Sequence, residues 1–321
     1  MNENTKFKVS VRCFTYNQAD YITDTMDGFT MQQTNFPFVC CIVDDASTDG
    51  EQNVITNYVD KNFNFSEEVG SYKIETDYAY ISFAQHCQNK NCYFAVLLLK
   101  ENLYSKNEKD KKHEYISEWV NPCDYIAICE GDDYWIDSKK LQVQVDFMNT
   151  HSDYSLCYHD AFYYMQESRK VRIFVNMFDR DVDLSTEQAI TNWAAPTASI
   201  LYRKSLYDGY PSNLAKIYSR DYSLMLILLS RGKVRYIDRI MSVYRRTEKG
   251  VTSTTDMSFA YSEHIRLLES YDKFTENKYH DIILKRIKFL KKLIAYIEVR
   301  HHYKVYKIFS ISPFLFRKFL K

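Results

Sequence analysis

The first half of the chain alternates short apolar runs with segments in which apolar residues recur at helical spacing. The apolar runs are Phe38 to Val43, Tyr93 to Leu99 and Tyr125 to Cys129, and Val9 to Phe14 is a mainly apolar segment interrupted by Ser10 and Arg12. Runs of this length are typical of buried strands. Helical spacing follows the first strand, where Ile22, Met26 and Phe29 come after Asp20. This alternation predicts an α/β fold with a mostly parallel sheet flanked by helices.

The second half of the chain is less regular. Its predicted strands are Leu156 to Met165, Ala198 to Tyr202, Val234 to Ile237 and Ile240 to Tyr244. An apolar helix is predicted from Tyr222 to Leu229, and a polar loop from Arg245 to Thr255. From about Tyr261 the chain becomes helical and basic. We therefore expect a domain over residues 1–255, with halves at 1–137 and 138–255, and a helical C-terminal extension over residues 256–321.

Carboxylates follow two of the predicted strands directly. Asp44-Asp45 ends one of them, and Glu130-Gly131-Asp132-Asp133 follows another. Ligands of parallel sheets bind beyond the carboxyl ends of the strands, so both clusters are expected at one rim. Crowded carboxylates repel one another and are costly to desolvate without a cation among them. Mg²⁺ or Mn²⁺ shared with a substrate phosphate is the simplest compensation, which predicts chemistry on a phosphate leaving group.

Composition excludes several classes of protein. The 42 basic and 42 acidic residues cancel, which argues against a nucleic-acid partner. Eight cysteines without paired spacing predict reduced thiols in a cytoplasm. Met1 to Lys8 is polar, so no signal peptide is expected, and no apolar run is long enough to span a bilayer.

Several candidate residues also have a structural explanation, whereas the cluster from Glu130 to Asp133 has no comparably simple one. The segment from Asp44 to Asp49 could cap a helix, and Asp221 could be favoured by a helix dipole. Tyr134 and Trp135 fit core or rim packing better than a substrate platform. His159 could face an acceptor cleft or be a satisfied core histidine.

The order of these motifs resembles that of family 2 glycosyltransferases of GT-A fold, over roughly Lys8 to Ser253. Five segments carry the resemblance. They are Val9-Ser10-Val11 leading to Thr15-Tyr16-Asn17, Ile42 to Gly50, Glu130 to Asp133, Arg220-Asp221, and Tyr244-Arg245 to Ser253. Glu130 stands where the Asp-x-Asp motif usually begins with Asp, although one branch of the family spells this segment as here. Thr247 and Thr252 stand where the late loop often has His and Trp.

The resemblance implies a role for each matched residue. Tyr16 would stack on the donor base and Asp45 would hydrogen-bond it. Asp132 would bind the metal at the diphosphate, with Glu130 supporting ribose or metal, and Asp221 would be the catalytic base. The implied nucleotide-sugar-binding set is Thr15, Tyr16, Asn17, Asp45, Asn102, Glu130, Asp132, Asp133 and Arg245. Residues 1–137 would then bind the nucleotide sugar and residues 138–255 the acceptor.

The expected function is an inverting, metal-dependent glycosyltransferase using Mg²⁺ or Mn²⁺. A UDP-sugar is the expected donor, and a glycan or lipid-linked glycan of surface polysaccharide synthesis the expected acceptor. A nucleotidyltransferase is the alternative enzyme, but a Gly-rich, basic loop would be expected where Thr15 to Gln18 stand. An inactive glycan- or nucleotide-binding module is the alternative outside enzymes, and Asp132, Asp133 and Asp221 together argue against it.

Residues 273–321 carry thirteen Lys and Arg against three acidic residues. Ile283, Ile287, Leu290, Ile294 and Ile297 recur there at helical spacing. Two interpretations are left open. The segment could be a helical pair packed on the domain with solvated lysines, or a surface resting on the anionic inner face of the cell membrane. The expected location is cytoplasmic, with peripheral membrane contact under the second interpretation.

Overall fold

The computed structural model describes residues 7–66, 70–108, 110–175, 178, 180–191, 195–217, 220–248 and 250–305. The chain forms two compact units. The first unit contains Met1–Leu184, Ala194–Asp208 and Arg231–Thr247. The second contains Ser185–Trp193, Gly209–Ser230 and Glu248–Lys321. The boundaries predicted at residues 137/138 and 255/256 stay predictions.

The first unit is a mixed α/β structure. Its elements, in chain order, are β1 (Val9–Thr15), α1 (Ile22–Thr30), β2 (Phe38–Asp44), α2 (Glu51–Asn62), β3 (Phe63–Asn64), β4 (Tyr72–Glu75), β5 (Ala79–His86), β6 (Cys92–Leu99), α3 (Lys111–Tyr115), α4 (Ser117–Val120), β7 (Tyr125–Ile128), β8 (Tyr134–Trp135), α5 (Lys140–Thr150), β9 (Tyr154–Met165), β10 (Lys170–Ile173), β11 (Val182–Leu184), β12 (Leu201–Arg203) and β13 (Lys233–Arg246). Short 3₁₀ turns at Thr197–Ser199 and Lys204–Leu206 flank β12.

One sheet runs through this unit in the order β11-β13-β9-β12-β7-β1-β2-β6-β5-β3. The central strands β7, β1, β2 and β6 are parallel, and Thr15 at the end of β1 pairs with Asp44 at the end of β2. The loops after β1, β2 and β7 therefore leave the sheet at the same edge. The predicted α/β fold with a mostly parallel central sheet flanked by helices is confirmed.

Apolar cores on both faces explain the continuous apolar strands. On one face Val9, Val11 and Cys13 pack with residues of α1, α2 and α5. On the other face Val39, Cys41 and Val43 pack with Trp119 of α4. All seven residues of β2 are buried, as expected of a central parallel strand.

Two strand predictions need correction. The segments Val234 to Ile237 and Ile240 to Tyr244 belong to one strand, β13, which pairs in parallel with β9. Register shifts near Ile237 and Ile240 absorb the polar residues between them, so the strand continues through a bulge rather than ending. Arg245 also lies within β13 and not in a loop.

The second unit is helical in its described part. It contains α6 (Thr186–Thr191), α7 (Arg220–Leu229), α8 (Val251–Thr254), α9 (Met257–Phe274) and α10 (His280–Val305). Ile283, Ile287 and Leu290 form the buried stripe of α10, which confirms the periodicity there, whereas Ile294 and Ile297 are half-buried. Residues 306–321 of the basic tail lie outside the described residues. Within the described part, no helix is long and apolar enough to cross a membrane.

Candidate functional site

Three loops meet at the carboxyl edge of the parallel strands. They are named here the β1 loop (residues 15–20), the β2 loop (residues 45–50) and the acidic loop (residues 129–133). The backbone N–H of Asn17 donates to Ser47 Oγ at 2.8 Å, and Asn17 Oδ1 accepts from the Thr48 N–H at 2.8 Å. The Ala19 N–H donates to Asp49 Oδ2 at 3.0 Å. Thr15 and Asn17, two of the predicted binding residues, thus lie in a loop held in shape by the β2 loop.

Glu51, which the sequence did not single out, binds both of these loops. Its carboxylate is fully buried at the first turn of α2. Oε1 contacts the Thr15 hydroxyl, whereas Oε2 accepts from the Gln18 N–H at 2.8 Å and from Ser47 Oγ at 2.9 Å. Burial raises the pKa of Glu51 to about 7, although these donors favour the ionised form.

The acidic loop packs tightly against the β1 loop. A Cβ at Gly131 would overlap the Thr15 hydroxyl and the Gln18 amide oxygen, so glycine is required by this close approach. The Thr25 hydroxyl of α1 lies 2.9 Å from the Gly131 carbonyl and 2.7 Å from that of Asp133. These contacts place the acidic loop, which carries Asp132 and Asp133, against Thr15.

Arg245 holds the acidic loop from the other side. Its backbone N–H donates to Asp133 Oδ1 at 2.8 Å, and its Nε donates to the Asp132 carbonyl at 2.9 Å. Its terminal nitrogens donate to Gln166 Oε1 at 3.0 Å and to Asp24 Oδ2 at 2.5 Å. The buried guanidinium thus contacts the acidic loop, Gln166 and Asp24, and the predicted contact of Arg245 with a nucleotide sugar stays a prediction. Asp24 and Gln166 carried no signal in the sequence.

Asp45 of this edge pairs with Lys112, whereas Asp44, Asp132 and Asp133 form no ion pair within the residues that the structure describes. Burial raises the pKa of Asp132, and the nearby Arg245 guanidinium opposes this rise. Burial and repulsion by Asp132 raise the pKa of Asp133 well above its usual range. Asp44 is fully buried, its Oδ2 makes no hydrogen bond, and burial raises its pKa. The edge therefore favours a bound cation electrostatically.

No group of three or more His, Cys, Asp or Glu side chains forms a metal cage in the part of the chain that is described. A divalent ion shared with substrate phosphates needs only one or two carboxylates, the rest of its shell being phosphate and water. Asp132 is half-buried rather than enclosed, and its raised pKa reflects uncompensated burial. The residues present therefore fit Mg²⁺ or Mn²⁺ bound through Asp132.

Asp45 contacts the turn after β6 within the chain, and its hydrogen bond to a donor base stays a prediction. Its Oδ1 accepts from the Leu103 N–H at 2.8 Å, and its Oδ2 accepts from the Tyr104 N–H at 3.1 Å and Lys112 Nζ at 2.7 Å. The Asn102 side chain donates to the Asp45 carbonyl at 3.0 Å. Asp45 and Asn102 thus lie together and order the turn after β6. Lys112 was not foreseen, since a lysine in a charged stretch gives no sign of burial.

The remaining candidates separate into exposed and buried residues. Tyr16 is 46% exposed in the β1 loop, whereas Trp135 is 1% exposed and packs against Phe29, which confirms the packing interpretation for Trp135. Glu130 is half-buried. His159 is fully buried, and its Nδ1 lies 2.7 Å from the Asp160 carbonyl, so it is a core residue. Asp221 lies in the first turn of α7, in the second unit.

Comparison with known proteins adds distant relatives. No family model matches the chain. Uncharacterised proteins of Mycobacterium bovis and Mycobacterium tuberculosis are 29% identical over 245 residues, 76% of this chain. The chain spans about 60% of the length of these curated relatives.

Solved structures share the fold. Residues 1–349 of TarS from S. aureus match with a TM-score of 0.55 and 16% identity, covering 88% of this chain and 71% of that one. The same protein in complex with UDP-GlcNAc matches with a TM-score of 0.54 and 15% identity, over 82% of this chain and 66% of that one. The mannosyltransferase PcManGT from Pyrobaculum calidifontis, in complex with GDP-Man and Mn²⁺, matches with a TM-score of 0.54 and 11% identity, over 92% and 76%. The chain therefore has a GT-A-like glycosyltransferase fold.

Proposed function

We propose that the protein is a glycosyltransferase that moves a sugar from a nucleoside-diphosphate sugar to a hydroxyl of a glycan or lipid-linked glycan. The observation that carries the proposal is that the β1, β2 and acidic loops meet at one sheet edge. At this edge the neighbouring carboxyls of Asp132 and Asp133 both have raised pKa values, so their negative charge is not fully compensated. The fold supports it, because structures of the same fold hold UDP-GlcNAc, or GDP-Man with Mn²⁺.

The donor would bind along the β1 and β2 loops. The exposed Tyr16 ring offers a face for the nucleobase, and stacking of this kind is worth about 1–3 kcal/mol. Asp45 and Asn102 would contribute to the base pocket by ordering the turn at Leu103 and Tyr104. A UDP-sugar is the proposed donor. Thr15 and Asn17 would contribute to donor binding by holding the β1 loop in shape. Arg245 would contribute to it by holding the acidic loop in place.

The diphosphate would lie at the acidic loop. Mg²⁺ or Mn²⁺ held there by Asp132, with Glu130 in support, would neutralise the charge that develops on the leaving nucleoside diphosphate. Asp133 accepts the Arg245 N–H and so fixes the turn that presents Asp132.

Asp221 is the proposed general base. A sugar hydroxyl is a poor nucleophile, so a carboxylate within hydrogen-bond reach must accept its proton as the new bond forms. The oxygen of the acceptor attacks the anomeric carbon, the bond to the diphosphate breaks, and the proton passes to Asp221. Attack opposite the leaving group inverts the configuration at that carbon, and no covalent intermediate is needed.

The basic helix α10 suggests how a lipid-linked acceptor would be reached. Lys285, Lys288, Lys291 and Lys292 are exposed on it, together with the apolar side chains of Leu284 and Phe289. Exposed cations beside apolar side chains complement an anionic lipid surface. We include peripheral contact with such a membrane, through residues 273–321, in the proposed function.

A donor-hydrolysis screen tests the proposal. Purified protein is incubated with UDP-, GDP- and TDP-sugars, with Mn²⁺ or with EDTA, and the released nucleotide is measured. We expect metal-dependent release of one nucleoside diphosphate, together with measurable binding of that donor. Release of pyrophosphate from a nucleoside triphosphate and a sugar phosphate would instead indicate a nucleotidyltransferase, and binding without any turnover would indicate an inactive module.

A further inference from the structure

The hairpin of β9 and β10 carries a row of side chains that crosses three strands. Tyr244 of β13 pairs with Tyr163 of β9, which in turn pairs with Arg172 of β10. Residues that pair across strands lie on the same face of a sheet. The rings of Tyr163 and Tyr244 lie 5.5 Å apart, and Phe174 packs against them at 5.7 and 5.1 Å. These three rings form a fixed aromatic base next to Arg172.

Arg172 lies on this base without an anionic partner. Its guanidinium carbon is 4.1 Å from the centre of the Tyr163 ring, well within the range of a cation–π contact. The residue is exposed, and it forms no hydrogen bond or ion pair with the residues that the structure describes. The stacked guanidinium is therefore held in place with its N–H groups available. Such a planar fork fits the two oxygens of a carboxylate or phosphate.

The turn of the hairpin adds two more cations. Arg169 and Lys170 are exposed and form no ion pair within the described ranges, and Glu167 is the single acidic residue of the segment 166–172. Arg169 has a φ of 54°, a left-handed conformation that favours glycine or asparagine. The backbone thus gives no reason for an arginine at this position. The tip of the hairpin presents net positive charge.

The hairpin lies beside the acidic loop. Gln166 accepts a hydrogen bond from Arg245 at 3.0 Å, and the Arg245 N–H donates to Asp133 Oδ1 at 2.8 Å. β8, which directly follows the acidic loop, is followed across the sheet by β13, β9 and β10. Three strand spacings of about 4.8 Å place Arg172 about 15 Å from the acidic loop. An oligosaccharide spans this distance, whereas a single sugar does not.

We propose that Arg172, together with Arg169 and Lys170, forms an anion subsite for the acceptor. The subsite takes a carboxylate or phosphate group carried by an acidic oligosaccharide, on a sugar behind the one that reacts. The anion subsite itself rests on the geometry of the hairpin. Its use in sugar transfer rests on the proposed function.

Charge and surface chemistry favour this occupant. The carboxylates of the acidic loop repel an anionic acceptor, and cations on the neighbouring hairpin offset that repulsion. A neutral glycan would leave the Arg172 guanidinium without an anion. The exposed apolar residues of β10, Val171 and Ile173, project from the opposite face of the strand. The face of Arg172 therefore offers aromatic rings and cations, which suit an acidic sugar, and lacks the apolar side chains that enter a lipid surface.

Calorimetry at low salt tests the subsite with three oligomers of equal length. Hexagalacturonic acid carries carboxylates, a hexamer of glycerol phosphate carries phosphates, and maltohexaose is neutral. We expect at least one anionic oligomer to bind full-length protein about tenfold more tightly than maltohexaose, with an affinity that falls as salt is added. The oligomer that binds identifies the acidic group.

Variants locate the binding. Arg172→Gln should lower the affinity for the anionic oligomer about tenfold, because hydrogen bonds to a charged group are lost. Arg172→Lys, which keeps the charge without the planar fork, should have an intermediate affinity. Arg235→Gln is the matched control and should bind like wild type. Arg235 also lies over a ring, 5.6 Å from the centre of Tyr154, but it is paired with Asp183 at 3.3 Å.

Three results would overturn the proposal. They are equal affinities of wild type and Arg172→Gln, binding of maltohexaose as tight as that of both anionic oligomers, and displacement of the oligomer by UDP with Mn²⁺. The last result would assign the cations to the donor phosphates. Binding of phosphatidylglycerol vesicles through Arg172, without binding of either anionic oligomer, would assign the hairpin to a membrane and also overturn it.

Failure of the proposed function has a different signature. If an anionic oligomer binds through Arg172 but the protein neither binds nor hydrolyses any nucleoside-diphosphate sugar, the anion subsite stands and the proposed transfer loses its support. Thermal melting of each variant confirms that the comparison is made on folded protein.

Discussion

The two edges of the parallel sheet use polar side chains in opposite ways. At the amino edge, neutral side-chain amides donate hydrogen bonds to backbone carbonyls. Asn89 donates to the carbonyls of Thr30 and Gln32 at 2.9 and 2.7 Å, and Asn91 donates to that of Thr34 at 2.6 Å. The carboxylate of Asp124 at this edge is paired with Lys8 at 2.7 Å. At the carboxyl edge, in contrast, Asp44, Asp132 and Asp133 have raised pKa values.

This difference distinguishes a structural edge from a candidate site. Polar groups whose partners lie within the chain stabilise the fold and leave nothing for a ligand to do. Carboxylates buried together without enough positive charge cost free energy, which a ligand with a cation could recover. The comparison predicts that a charge removed from the carboxyl edge affects function, whereas one removed from the amino edge affects stability only slightly.

Asp132→Asn gives the largest expected effect. Loss of the carboxylate removes charge stabilisation worth several kcal/mol at the leaving group, so turnover should fall by about 10³-fold or more. Donor affinity in Mn²⁺ should weaken as well. Initial rates with the donor found in the hydrolysis screen, with and without Mn²⁺, measure this.

Asp124→Asn is the matched control at the amino edge. Its ion pair with Lys8 is partly exposed, so its loss should change stability by less than about 1 kcal/mol and leave turnover unaltered. Equal losses of activity in the two variants would show that the contrast between the edges has no functional meaning.

Asp221→Asn sharpens the contrast by separating binding from chemistry. Asp221 lies in the second unit, whereas the proposed donor contacts belong to the carboxyl edge of the first. Removing a general base costs about 10²- to 10⁴-fold in rate, and donor affinity should remain within about twofold of wild type. Parallel calorimetry and initial rates test this. An affinity that falls as steeply as the rate would make Asp221 a donor-binding or structural residue.

Sequence patterns predicted the strands that are buried on both faces and missed those at the border of the sheet. β2, β6 and β7 are almost entirely apolar and β1 contains four apolar residues, so all four were found. β4 and β5 lie toward the sheet border, and the residues of β4 are half-buried or exposed. Their apolar content alone did not distinguish them from loops, because their pairing partners decide their structure.

The same reasoning explains which site residues the sequence revealed. Asp44, Asp45 and Asp132 stand out because each follows an apolar strand directly. Glu51 looks like an ordinary first-turn carboxylate, and its role depends on loops that meet across more than 30 residues of chain. Lys112 hydrogen-bonds Asp45 across 67 residues. Contacts between distant loops leave no local pattern, so they become visible only in the folded chain.

Gly131→Ala tests how closely the acidic loop must approach the β1 loop. The added Cβ overlaps Thr15 and Gln18, and overpacking of this kind costs about 1–3 kcal/mol. Because the strain falls between these two loops, donor affinity should decrease about tenfold or more. Urea unfolding and donor calorimetry measure the two effects. Unchanged affinity would indicate that the loops move apart freely.

Glu51→Gln changes the dependence of stability on pH. The pKa of about 7 in the folded protein lies above the usual carboxyl value, so the folded state retains a proton that the unfolded chain releases near about pH 4. The associated stability is present at low pH and is lost as pH rises through about 7. Relative to wild type, Glu51→Gln should therefore gain on the order of 1–3 kcal/mol between about pH 5 and pH 8. Urea unfolding at both values measures the gain, and parallel pH profiles of the two proteins would contradict it.

The smallest expected effect concerns α10, which belongs to neither edge. If its exposed lysines contact an anionic membrane, each contributes about 1 kcal/mol, so Lys288→Gln should weaken binding to phosphatidylglycerol vesicles about fivefold at low salt. Lys73→Gln is the matched control, because Lys73 is an exposed lysine of β4 that pairs with Asp60. Transfer to a water-soluble acceptor should be unaltered in both variants.

Co-sedimentation with anionic and neutral vesicles measures the binding. Equal binding by Lys288→Gln and wild type, or no binding of wild type to anionic vesicles, would mean that the lysines of α10 are merely solvated.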